Sequence, residues 1–132
     1  MSKLDRYAPH ALAALRIMTS LLMIQHATMK FFAFPGPLPM PGPLPGIIVA
    51  AGVIELVTGT LILLGLFTRP AAFLASGTMA AAYFLGHATQ GFWPAINQGE
   101  AAIMFCFAFF TLIFTGAGAW SMDGLRRNKT EA

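Results

Sequence analysis

Charge is what this sequence has least of: Asp, Glu, Lys and Arg make up 10% of its 132 residues, where a soluble domain carries roughly a quarter. The same chain is 57% hydrophobic. That balance excludes an ordinary soluble fold and points to an integral membrane protein. Cysteine is nearly absent as well: Cys106 has no partner within the chain for a disulfide and sits in an apolar run, as a small buried hydrophobe does. There is no glycine-rich nucleotide fingerprint, no flavin or iron–sulfur motif, and no Glu-x-x-His pair of the kind that builds carboxylate-bridged metal bundles. No metal is expected. The basic residues are not interleaved with base-stacking aromatics, which excludes nucleic acid as a partner.

What is present is four apolar stretches, at about 8–32, 46–67, 70–89 and 98–115, each near the ~20 residues that cross a bilayer as helix. The expected fold is an all-α membrane protein, a single domain over 1–132 forming a four-transmembrane-helix bundle. The first stretch lacks a small-residue cleavage site and reads as a retained span rather than a signal peptide. Lys3, Arg6, Arg69, Arg126, Arg127 and Lys129 lie at the chain ends and in the second connection, while the first and third connections have no Lys or Arg. The positive-inside rule then puts both termini in the cytoplasm.

The connections differ in kind. Residues 33–45 contain Pro-Gly-Pro-Leu-Pro twice, separated by Met40; proline at alternate positions forbids helix and predicts a stiff, polyproline-like outer loop, a spacer or docking strip. The second connection is a tight turn in which Thr68 is expected to cap the third helix and Pro70 to fit its first turn. Ala72, Ser76 and Ala80 recur at spacing four and predict close helix packing. Phe92, Trp93 and Trp120 suit interfacial belts, and Ser121 is placed to cap a short final helix.

Ionisable residues within the spans are the functional candidates, because a charge stranded in hydrocarbon costs at least about 2.5 kcal/mol. Glu55 stands near the middle of the second span on a stripe of small residues, Ala51, Gly52, Thr58 and Gly59. At 1.5 Å per residue, His26, Lys30, His87 and Glu100 share the outer half with it. The expected pairing is His26 with Glu55 at depth and Lys30 with Glu100 nearer the surface. Arg16, about 24 Å from the outer end, is expected to snorkel to the inner interface. A histidine and a carboxylate at membrane depth beside Met23 and Met29 form the kind of apolar, proton-trading site a quinone uses. His26 would bind a quinone oxygen, Glu55 orient it or carry the proton, and Lys30 stabilise negative charge, with Met23, Met29, Thr58 and Glu100 around the ligand. Haem between His26 and His87 is disfavoured, since their depths differ by about 5 Å.

In order and spacing, Arg16, His26-x-x-x-Lys30, Glu55-Leu56-x-x-Gly59, Leu63-Leu64-Gly65-Leu66-x-Thr68-Arg69, Gly99-Glu100 and Gly116-x-Gly118-x-x-Ser121-x-Asp123 resemble the DoxX family of small four-span bacterial membrane proteins. Ala27 stands where that family usually has Gly, and Ala117 where it has Pro. The resemblance implies quinone-related redox chemistry, such as thiosulfate:quinone oxidoreduction or quinone detoxification, or a place in membrane complexes that respond to oxidative stress. Electrons would come from a redox or respiratory membrane partner, so the chain would be part of a quinone-dependent oxidoreductase and inactive alone. Two other roles stay open: an accessory or scaffolding subunit of a larger complex, and a transporter, which four spans would require to be a homo-oligomer.

Overall fold

A computed structural model describes residues 3–130, and every regular element in it is helical. A 3₁₀ turn, Asp5–Tyr7, leads into α1 (Ala8–Phe32), with Pro9 in its first turn, where a missing N–H costs nothing. Then come α2 (Gly46–Leu64), α3 (Thr68–Ala82), a one-turn α4 (Pro94–Asn97), α5 (Glu100–Thr115) and α6 (Met122–Thr130). Past Ala82 the helical path of α3 continues through a π turn, Tyr83–His87, and a 3₁₀ turn, Ala88–Gln90. The proline-rich segment 33–45 has no regular structure, as its missing N–H groups require.

The four long helices pack in the order α1, α2, α3, α5, and α1 meets α5 more loosely than its other neighbour. The core between them is made largely of small residues: Ala71, Ala72 and Ala75 of α3 lie against Met23, Ile62, Phe109 and Leu112. Ser76 donates to the Cys106 carbonyl at 2.9 Å, tying α3 to α5 along the small-residue face. Bulk is on the outside instead, where Met18, Leu21, Val53, Val57, Phe73, Phe107, Phe110 and Phe114 are exposed. Small residues inward and large apolar ones outward is the arrangement of helices packed in lipid. With its leading turn, α1 is long and apolar enough to cross a membrane, and so is α2; α5 is a shorter apolar helix.

Helix boundaries depart from the sequence reading at the second connection. α2 ends at Leu64 rather than Phe67, because Gly65 turns left-handed (φ 64°) and the N–H groups of Gly65 and Leu66 bond back to Ile62 and Leu61, a Schellman closure. Thr68 starts α3 but makes no capping bond from its side chain. The cap comes from 55 residues away: Asp123 accepts from the N–H groups of Phe67 and Thr68, both at 2.9 Å. Ser121 does cap α6, accepting from the Gly124 N–H at 3.2 Å.

Candidate functional site

The expected polar cluster forms in part and with different partners. Lys30 and Glu55 make an ion pair between α1 and α2, with side chains only 10% and 5% exposed. Two features of the backbone permit it. Gly52 offers no side chain, so the Lys30 stem lies across α2; a Cβ there would stand 3.0 Å from Lys30 Cδ and 2.8 Å from Phe31 Cζ. Helical side chains also lean toward the N-terminus, which carries the Lys30 ammonium deeper than its Cα and down to the level of Glu55.

His26 does not take the carboxylate. Its Nδ1 lies 2.8 Å from the Leu22 carbonyl, and since a carbonyl oxygen can only accept, Nδ1 carries the proton. In the neutral ring Nε2 is then a free acceptor. The ring is exposed and stands edge-on to Phe105 of α5, centroids 5.7 Å apart. His26 thus faces outward at the loose α1–α5 seam, while Lys30, one turn further along, faces inward to Glu55.

The other proposed site residues disperse. Met23 is buried in the core, and Thr58, also buried, turns its hydroxyl to the Ile54 carbonyl of its own helix at 2.6 Å. Met29 is half-buried. Glu100 is exposed in the first turn of α5 and makes no polar side-chain contact among the described residues, so the expected Lys30–Glu100 pair is replaced by Lys30–Glu55. His87 bonds through Nδ1 to the Asn97 carbonyl at 3.0 Å. Asn97, buried, also donates to Gly91 and accepts from the Gly99 N–H, organising the turn before α5.

The largest departure is Arg16. Rather than snorkelling, it is fully buried at the end of the bundle where α1 starts and α5 stops. Nε donates to Ala117 at 2.8 Å; Nη1 donates to Ile62 and Leu63 at 2.8 and 2.6 Å; Nη2 donates to Ala119 and Trp120 at 3.3 and 2.8 Å. All five guanidinium N–H groups meet backbone carbonyls, two in the last turn of α2, at the negative pole of that helix, and three in the loop after α5. Room for the guanidinium comes from Gly65, where a Cβ would lie 3.0 Å from Nη1 and 2.5 Å from Ser121 Cβ. The Gly116-x-Gly118 pair breaks the helix at this point with φ of 78° and 70°. In the sequence, those glycines and an arginine inside an apolar stretch mark the place, but nothing in them names the carbonyl partners.

Asp123 completes this end. Burial pushes its carboxyl pKa up, but the N–H groups of Thr68 and Phe67 and the nearby Arg126 outweigh burial and hold it below the ordinary range.

A helical chain with an inverted distribution of bulk and an ion pair buried between its first two long helices is an integral membrane protein. The DoxX family profile matches residues 11–88. The chain belongs to the DoxX family. It is 43% identical over 130 residues to an uncharacterized protein of Haemophilus influenzae, covering 93% of this chain and 96% of that one. It is also 30% identical over 135 residues to an uncharacterized membrane protein of Mycobacterium tuberculosis, covering 87% of this chain and 80% of that one. No solved structure matches the chain.

Proposed function

We propose that this protein crosses the bacterial inner membrane four times with both termini cytoplasmic, and serves as a subunit of a quinone-linked redox system. The basic residues Arg6, Arg69, Arg126, Arg127 and Lys129 belong to the end with the termini, which supports that orientation. The observation that carries the redox reading is His26, exposed beside Phe105 with Nε2 uncommitted, one turn from the buried Lys30–Glu55 pair.

A quinone is carried by the bilayer and reaches such a site from the side, without a water-filled entrance. Because Nδ1–H is spent on Leu22, neutral His26 is an acceptor at Nε2 and suits a hydroquinone O–H, which it can hold and deprotonate. Phe105 supplies an aromatic wall. Electrons pass to a redox partner protein, as the chain has no motif for a carrier of its own. The test is quinone content: protein extracted gently from its native membrane should retain quinone, and His26→Leu should lower the retained amount about tenfold. Equal quinone in wild type and His26→Leu overturns the reading.

An accessory-subunit role draws on a different feature, the exposed proline-rich segment, with Phe34 68% and Met40 44% exposed. It requires that a larger membrane complex co-purify with the chain and that deleting residues 35–45 abolish the association.

A further inference from the structure

At the end held by Arg16 lies an open cleft of 1080 Å³ that the quinone reading does not use. Its walls come from the start of α1, the start of α3, the loop after α5 and the start of α6. We propose that this cleft binds the phosphodiester headgroup of a membrane phospholipid.

The cleft has the two-part chemistry of a phospholipid. Pro9, Leu12, Pro70 and Ala117 give it an apolar floor, and Arg69 and Arg127 stand on it from two different elements. Arg69 is exposed and spends Nη1 on the Ile113 carbonyl at 3.2 Å. Its Nε and Nη2 lie beside Gly116, 3.6 Å from where a Cβ would stand, and make no hydrogen bond among the described residues. Arg127 is exposed and makes no polar contact among the described residues. Two guanidinium groups with free N–H donors match phosphate oxygens in bidentate geometry, and basic pockets between membrane helices take lipid headgroups.

The carboxylates in the cleft do not cancel this. Asp123 is turned to the N–H groups of Phe67 and Thr68. Asp5 also lines the cleft, and its negative charge disfavours a second phosphate there. The exposed rings of Phe67 and Trp120 flank the region at the depth of an interfacial belt.

Native mass spectrometry of the full chain in neutral detergent, titrated with phosphatidylglycerol, tests the proposal. Wild type should retain one lipid through detergent stripping, and Arg69→Gln/Arg127→Gln should weaken retention at least tenfold. Lys129→Gln, outside the cleft, should behave as wild type. Arg127→Gln alone, which disturbs no internal contact, should give an intermediate loss and guards against misfolding of the double variant. Phosphatidylethanolamine retained as well as phosphatidylglycerol supports recognition of the shared phosphodiester. Equal lipid retention by wild type and both arginine variants overturns the proposal. So does binding of inorganic phosphate that depends on the two arginines while no phospholipid is held.

Discussion

Lys30, not His26, neutralises Glu55, and the pair seals the α1–α2 interface one turn from the imidazole. A buried pair of this kind is asymmetric in its energetics. Removing one partner strands the other, at a cost of about 3–5 kcal/mol, whereas removing both can be nearly neutral. Lys30→Met and Glu55→Leu should each lower the thermal unfolding midpoint in detergent sharply, and the double variant should recover most of the loss. Additive losses would mean that the two side chains are not coupled.

Gly52 should be intolerant of even one methyl group. Its Cβ position lies 2.8 Å from Phe31 Cζ and 3.0 Å from Lys30 Cδ, so Gly52→Ala must displace the lysine stem. The expected penalty is about 1–3 kcal/mol, read as a lowered midpoint, while Gly77→Ala, in a helix interior with open space around it, should not lower the midpoint and should raise stability by up to about 1 kcal/mol.

Arg16→Lys keeps the charge but loses the planar fork that reaches five carbonyls. It should be nearly as damaging as Arg16→Met. Limited proteolysis is the direct measurement: cleavage after Arg126 or Arg127 should accelerate at least several-fold in both variants as the loop before α6 loosens.

Asp123 predicts an acid limit. Its carboxyl pKa is lowered in the folded protein from the ordinary 3.8, so the unfolded chain binds the proton more readily. The stabilisation is therefore fully present above pH 3.8 and is lost as pH falls through the lowered folded value. Asp123→Asn should weaken the anchoring of α6 at neutral pH and flatten the acid limb of the stability profile. An unchanged acid limb would assign that limb to other carboxyl groups.

Glu100, exposed and without a polar partner among the described residues, should be replaceable: Glu100→Gln is expected to change stability by less than about 0.5 kcal/mol, read from the unfolding midpoint.

Much of this was legible in the chain. Apolar run lengths gave the helices, α1 with both its ends, because proline and glycine punctuate the runs clearly. The small residues around Glu55 correctly marked the face that packs on α1. The pairing was not legible, since depth measured at Cα ignores how far and in which direction a lysine side chain leans. Nor was the fate of Arg16: its partners are carbonyls, which every residue has, so no residue type announces them. Asp123 capping Phe67 and Thr68 was hidden for a similar reason, as a local candidate, Thr68, stood at the right position.

The Arg16 clasp also has a meaning in time. Ala117, whose carbonyl accepts from Arg16, follows it by 101 residues, so during synthesis α1 enters the bilayer long before three of its five acceptors exist. Until the segment 117–120 arrives, the guanidinium must be held by water, headgroups or the insertion machinery. The loop before α6 is thus the one that lets α1 settle, and a chain cut short before it would leave a cation waiting at the membrane for a partner that never comes.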